Sequence, residues 1–270
     1  MSRDGRLRAG HQRRDRDEAM WRDYLAQFHA HRPGITEQVL TAAFRRDVGT
    51  PYAWLRASLP TDPGHVLDIA CGSAPLHPLL AGADSYLGID RSPEELAFAS
   101  GLGRGPVMQA NATCLPVADA SMDVVICSMA IMLLNPIEAA LAEVGRVLRP
   151  GGIFATIRPV AGPVRMRDVS LGLRLVFGLH HLPEMPQRFG GARFSRLLAQ
   201  AGFSVRSDDS RRFGYPLLHE RDARLAVEAL YLPHVPAYRR ERAIRRLARA
   251  AGPRAQLPVG IRRTVAVRTA

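Results

Sequence analysis

Residues 66–75 read VLDIACGSAP, and this stretch decides the fold. The apolar run at 65–69 predicts a buried strand, the small residues after it predict a tight turn, and residues 75–81 predict a helix. Small residues at such a turn let a ligand lie against the backbone, where free N–H groups at the start of a helix face it. The stretch therefore predicts a site for a nucleotide-containing cofactor.

Short apolar runs continue to alternate with helical patterns downstream of this stretch. Further strands are predicted at 86–89, 107–110, 124–127 and 153–157, with helices at 92–100 and 136–148. This alternation is typical of βαβ units and predicts a doubly wound, parallel α/β sheet. Beyond residue 160 the pattern predicts an irregular helical insert, a strand from 203, two helices within 216–251 and a last strand at 262–267.

The type of cofactor follows from two features, the residues of this turn and the residue that ends the second strand. A dinucleotide-binding turn needs glycine at three places, but Ala70, Gly72 and Pro75 stand there, so NAD fits poorly. The second strand ends in Asp90, a carboxylate that can accept hydrogen bonds from a ribose diol. The spacing favours a cofactor with one ribose and no pyrophosphate.

Three more motifs follow in order: Asn111-Ala112, LPVADASMD at 115–123 and VLRPGG at 147–152. With these motifs, the stretch 65–158 resembles the class I S-adenosylmethionine-dependent methyltransferases, in the ubiquinone and menaquinone methyltransferase branch (methyltransferase type 11). The resemblance implies a Rossmann-like, seven-stranded sheet whose last strand is antiparallel, and S-adenosylmethionine as the cofactor.

The resemblance also implies ten cofactor-binding residues. The methionine part would face Asp68 and the turn, the ribose would bind at the end of the second strand, the adenine edge would lie after the third strand, and the sulfonium would lie near the end of the fourth. In chain order the residues are Asp68, Ala70, Gly72, Ala74, Asp90, Arg91, Asn111, Ala112, Ser128 and Met129. Ala70 and Ala74 replace the usual glycines, and Asn111 replaces a common Asp.

No residue is singled out as catalytic, because methyl transfer depends mainly on holding two reactants in line in a dry site. A base is needed only if the acceptor must lose a proton. The histidines expected near the mouth of the site are His29, His31, His180 and His181. An apolar stretch, Met129 and 131–134, is either a wall for an apolar acceptor or part of the core.

The formal charge of +12 comes entirely from arginine, and residues 239–270 hold ten arginines and one acid, Glu241. These arginines could bind the phosphates of a nucleic acid or an acidic surface, or they could form a solvated helix face. The helical layout before the last strand is similar in part to that of large-subunit rRNA guanine-N1 methyltransferases, but the four-cysteine zinc module that begins those proteins has no counterpart here.

The organisation expected is a flexible tail at 1–18 and one methyltransferase domain at 19–270. Within it, cap helices at 19–60 and helical inserts at 160–186 and 216–251 would cover a cofactor-binding core at 64–158. No hydrophobic leader, long apolar run or Cys/His cluster is present, so we expect a cytoplasmic chain with no metal and no membrane partner.

The resulting prediction is an S-adenosylmethionine-dependent methyltransferase that acts on a small organic acceptor, including one of secondary metabolism. One alternative is an rRNA or tRNA methyltransferase that uses the arginine-rich C-terminal helix. The other is a non-catalytic protein that binds S-adenosylmethionine.

Overall fold

The computed structural model describes residues 3–162, 165–187 and 190–269. Its helices are α1 (Arg3–His31), α2 (Ile35–Ala42), α3 (Pro51–Arg56), α4 (Pro93–Gly101), α5 (Ile137–Val147), α6 (Met166–Leu179), α7 (Gly191–Gln200), α8 (Glu220–Glu228) and α9 (Ala237–Ala248). Its strands are β1 (His65–Ile69), β2 (Ser85–Asp90), β3 (Val107–Gln109), β4 (Met122–Ser128), β5 (Leu148–Pro159), β6 (Phe203–Pro216) and β7 (Gln256–Arg268).

The strands form one seven-stranded sheet in the order β3-β2-β1-β4-β5-β7-β6. Strands β1 to β5 run parallel to one another, and β7 lies antiparallel between β5 and β6. The predicted doubly wound α/β fold with an antiparallel last strand is therefore confirmed. The chain order reverses between β1 and β4, and ligands of such sheets bind in the crevice beyond the carboxyl ends of the strands at this point.

The central strands are buried on both faces because each carries apolar side chains in both directions. On β4, Val124 and Ile126 face the core beneath α2 and α3, whereas Val125 and Cys127 face the core beneath α5 and α7. This alternation is the two-residue period of a strand. The two cores fix the sheet, so the carboxyl ends of β1, β2 and β4 form a rigid floor.

The predicted helix at 75–81 is wrong. Only a 3-10 turn forms there, at His77–Leu79. Pro78 is the reason, since a proline inside a helix removes a backbone donor and clashes with the preceding turn. The N–H groups near the turn after β1 are therefore not those of a helix start.

The predicted tail at 1–18 also differs from the structure, in which α1 is helical from Arg3 to His31. The segment has no proline before Pro33 and is rich in arginine, a good helix former. The helix ends just ahead of Pro33, which disfavours helical backbone in the residue before it. The division of the chain into a tail and one domain remains a prediction.

Helices α6, α8 and α9 pack mainly against one another rather than over the strand ends. Leu171, Leu179, Val227, Ile244 and Leu247 belong to a third apolar cluster separate from the two cores of the sheet. This unit is joined to the sheet by a buried ion pair in which Arg212 of β6 donates to both oxygens of Asp168, at 2.6 and 2.5 Å. The cap predicted from three segments is thus formed chiefly by α1 and α2.

Candidate active site

A cavity of about 530 Å³ opens at the carboxyl ends of β1, β2 and β4. Its size is in the range of small-molecule sites. The turn after β1, the ends of β2 and β3 and the segment after β4 form its floor, and α1, the start of α2 and Tyr231 cover it. Eight of the ten predicted cofactor residues line it: Ala70, Gly72, Asp90, Arg91, Asn111, Ala112, Ser128 and Met129.

The turn after β1 has left-handed backbone at three alternate positions. The φ angles of Ala70, Gly72 and Ala74 are 52°, 53° and 50°. This conformation suits glycine and is strained for residues with a Cβ. The two alanines that replace the family's glycines therefore keep the backbone path of the turn at a cost in stability.

Asp90 holds this turn against the end of β2. Its Oδ2 accepts a hydrogen bond from the Gly72 N–H at 2.8 Å, and its Oδ1 accepts one from the Ser92 N–H at 2.9 Å. Each carboxylate oxygen can accept a second hydrogen bond. Asp90 lines the cavity, so its free lone pairs are available to ligand hydroxyls.

Asp68 lies beneath the turn and is not part of the cavity lining. It is fully buried, its Oδ2 accepts from the Tyr86 hydroxyl at 3.1 Å, and its Oδ1 has no hydrogen-bond partner among the described residues. Burial raises the pKa of Asp68 to about 7, while the Tyr86 hydroxyl opposes the shift. Ala74 is also fully buried and outside the lining.

The residues after β3 and β4 complete the floor. Asn111 accepts a hydrogen bond from the Thr113 N–H through its side-chain oxygen at 3.1 Å, which leaves that oxygen one lone pair and the amide N–H groups free to meet a ligand. Met129 has left-handed backbone, with φ 60°. The buried Oγ of Ser128 has no partner among the described residues, as expected of a group whose partner is a ligand.

The apolar stretch after β4 divides between the two roles considered for it. Met129, Leu133 and Leu134 line the cavity. Ile131 and Met132 are buried, and Ile131 belongs to the core beneath α5. The cavity therefore has a polar side around Asp90 and an apolar side beyond β4.

A chain of three side chains crosses the covered side of the cavity. Glu95 of α4 is 4% exposed, and its Oε1 lies 2.9 Å from Nδ1 of His29. The other ring nitrogen, Nε2, lies 3.3 Å from the Tyr231 hydroxyl. Burial raises the pKa of Tyr231, so its hydroxyl stays protonated and can donate to Nε2 when Nδ1 carries the imidazole proton. Glu95 Oε2 also accepts from the Gly34 N–H at 2.9 Å, which ties α2 to α4.

The structure thus separates the four candidate histidines. His29 and His31 line the cavity, and Nδ1 of His31 is bonded to the Gln27 carbonyl of its own helix. His180 and His181 follow α6 and lie outside the lining, and His181 is paired with Glu184 at 3.3 Å. Glu95 and Tyr231 also belong to the candidate site, and the sequence did not predict them.

In the described ranges, no three His, Cys, Asp or Glu side chains are grouped so that they could hold a metal ion. The donors that line the cavity are instead carboxylate, amide, hydroxyl and backbone groups, a set suited to a polar organic ligand. Gly72 lines the cavity without a side chain, and the buried Ser128 Oγ has no hydrogen-bond partner among the described residues. The residues fit S-adenosylmethionine.

The seven-stranded sheet and this cleft have the arrangement expected of a class I S-adenosylmethionine-dependent methyltransferase domain. Residues 67–156 match the family described as Methyltransferase domain. This match covers β1 to β5, the part of the chain that carries all ten predicted cofactor residues.

Individual relatives agree with this assignment. The chain is 36% identical over 104 residues to the ubiquinone/menaquinone biosynthesis C-methyltransferase of Rubrivivax gelatinosus, covering 37% of this chain and 41% of the relative. It is 29% identical over 189 residues to a malonyl-[acyl-carrier protein] O-methyltransferase of Methylococcus capsulatus, covering 65% of each. The chain therefore spans less than two thirds of the length of these relatives.

A solved structure shares the fold over most of the chain. It is a chain of the complex between the Haloferax volcanii Trm112 methyltransferase activator and a methyltransferase. The TM-score is 0.58 at 20% identity, and the match covers 89% of this chain and 94% of that one. The likeness supports the architecture of the sheet and its helices.

The buried Asp68 predicts a pH dependence of stability. Its folded-state pKa of about 7 lies above the unfolded value of 3.8, so the folded state holds an extra proton between these values. The free energy of unfolding should decline as the pH rises through that range, by about 1.4 kcal/mol per pH unit at most, and then level off. Asp68→Asn should remove this decline.

Urea unfolding at mildly acidic and mildly alkaline pH measures the effect. Asp62→Asn is the matched control, since Asp62 is exposed and should leave the wild-type decline in place. An Asp68→Asn variant with the same pH dependence as the wild type would contradict the assignment.

The strained turn predicts a stabilising substitution. Ala70→Gly should relieve the left-handed strain and raise the free energy of unfolding by about 1 kcal/mol. Ala97→Gly, in the exposed interior of α4, should lower it by about 1 kcal/mol. Denaturant unfolding of both variants gives the comparison, and a destabilised Ala70→Gly protein would show that the turn is not strained.

Proposed function

We propose that this protein transfers a methyl group from S-adenosylmethionine to a small organic acceptor. The observation that carries the proposal is the division of one cavity into a polar side at Asp90 and Asn111 and an apolar side at Met129, Leu133 and Leu134. The polar side suits the ribose and base of the cofactor, and the apolar side suits the acceptor. A cleft of this size favours a small molecule over a folded RNA.

The carboxylate–imidazole–hydroxyl chain supplies a means of removing a proton from the acceptor. Glu95 accepts the Nδ1–H of His29, which leaves Nε2 as the basic nitrogen. Tyr231 donates to Nε2, so the acceptor's proton would move to the Tyr231 oxygen as the hydroxyl proton moves to Nε2, and Tyr231 stays neutral throughout. His29 is therefore the proposed proton acceptor, with Glu95 as its positioning residue.

When bound, S-adenosylmethionine supplies a methyl group that an acceptor atom can displace in line. The cover formed by α1 would limit the access of water to the reacting groups, and the floor residues would hold them in line. A proton acceptor is useful only for an O–H or N–H acceptor. The O-methyltransferase name of the Methylococcus relative is consistent with that class, and we extend the proposal to small hydroxyl compounds, including those of secondary metabolism.

Methyl-labelled S-adenosylmethionine, incubated with the protein and an extract of its own cells, tests the proposal. We expect label in the small-molecule fraction. Label in RNA would overturn the proposal in favour of an RNA methyltransferase. Binding of S-adenosylhomocysteine without transfer to any fraction would favour the non-catalytic alternative.

The role of His29 predicts a second result in the same assay. His29→Gln should lower the rate of transfer by about 10²–10⁴-fold, the usual contribution of a general base, with cofactor affinity unchanged. His31→Gln is the matched control, because His31 also lines the cavity but is bonded to its own helix. Equal rates for the two variants would remove His29 from the chemistry.

A further inference from the structure

Helix α6 exposes a stripe of large apolar side chains. Met166, Val169, Leu173 and Phe177 are 89%, 46%, 47% and 56% exposed. Their spacing of three or four residues places them on one face of the helix. The opposite face carries Leu171, which packs into the apolar cluster shared with α8 and α9. An exposed apolar patch of this kind is uncommon in a soluble monomer and marks an interaction surface.

A basic surface adjoins the C-terminal end of this stripe. Arg242 of α9 donates to the carbonyls of Phe177 and Gly178, at 3.2 and 3.0 Å, so α9 lies directly beside the end of α6. His180 follows α6, and its pKa is lowered first by the charge of Arg242, then by burial and by the charges of Arg239 and Arg246.

Three arginines at the end of α9, Arg245, Arg246 and Arg249, are exposed. The one acid of the helix, Glu241, is paired with Arg224. Within the described ranges, Arg239, Arg245, Arg246 and Arg249 form no ion pair with a carboxylate. The neighbouring Tyr238 is 62% exposed. The surface therefore combines apolar side chains, an exposed aromatic ring and unneutralised positive charge.

We propose that α6 and α9 form a surface that binds an anionic lipid bilayer. Apolar side chains on one face of a helix, with arginines beside them, are the features of helices that lie in the membrane interface. The apolar stripe would enter the boundary between headgroups and acyl chains, and the arginines would contact the anionic headgroups. In the part of the chain that the structure describes, no helix is long and apolar enough to cross a membrane, so this contact is peripheral.

Other occupants fit the surface less well. A second copy of the chain would bring two arginine-rich surfaces together, which costs electrostatic free energy. RNA phosphates would pair with the arginines but would leave the apolar stripe in water. The proposal departs from the expectation of no membrane partner, which rested on the lack of a long apolar run.

Vesicle sedimentation tests the proposal without any knowledge of the acceptor. The full chain should bind vesicles of equal parts phosphatidylcholine and phosphatidylglycerol, and bind pure phosphatidylcholine much more weakly. The double variant Arg245→Gln/Arg246→Gln should weaken binding about 30-fold, the effect of two arginines near an anionic surface. Leu173→Gln/Phe177→Gln should weaken it about tenfold or more, because each change removes buried apolar area.

The controls are Arg206→Gln and Leu102→Gln, which change an exposed arginine and an exposed leucine on other elements and should bind as the wild type does. An equal loss of vesicle binding in the control variants and the test variants would overturn the proposal. The proposal would also be overturned if the wild-type protein does not bind anionic vesicles, whether it binds total cellular RNA instead or is found by light scattering to be a dimer. Thermal unfolding of each variant confirms that the fold is retained.

Discussion

The hydrogen bond from the Gly72 N–H to Asp90 Oδ2 is the contact on which the site depends. It joins the turn after β1 to the end of β2, across the point where two neighbouring strands present their carboxyl ends. The turn has no following α-helix to stabilise it, and two of its three left-handed residues carry a Cβ. The Asp90 carboxylate therefore helps to hold the turn, beside the backbone hydrogen bond from the Cys71 N–H to the Ile89 carbonyl, and also offers lone pairs to the ligand.

A second carboxylate, Glu95, organises the cover of the cavity. It is nearly buried and binds both His29 of α1 and the backbone ahead of α2. Because both oxygens are satisfied by groups from the cover, the position of α1 over the floor is set by α4. The same contacts orient the imidazole toward Tyr231, so the closure of the cavity and the placement of its proposed base have one cause.

The sheet could be predicted because its strands carry local signals: buried apolar runs, small residues at turns and the Pro-Gly-Gly stretch at the start of β5. The positions of Asp90 and Ser128 followed from those strand ends. The Glu95–His29–Tyr231 chain could not be predicted, since its members are separated by 66 and 202 residues and only the packing of α1 brings them together. The helix expected from residue 75 does not form because Pro78 interrupts it. Asp68 is buried beneath the turn and Ala74 within it, so neither lines the cavity.

The most direct test of the account is a calorimetric titration of the protein with S-adenosylhomocysteine, with the wild type beside Asp90→Ala. The wild type should bind S-adenosylhomocysteine. Asp90→Ala should lose about 1.5–3 kcal/mol of binding free energy, the scale of hydrogen bonds to a charged group. Asp90→Asn, which keeps one acceptor oxygen, should fall between them. Equal affinity in all three proteins, or no binding by the wild type, would contradict the assignment of this cleft to the cofactor.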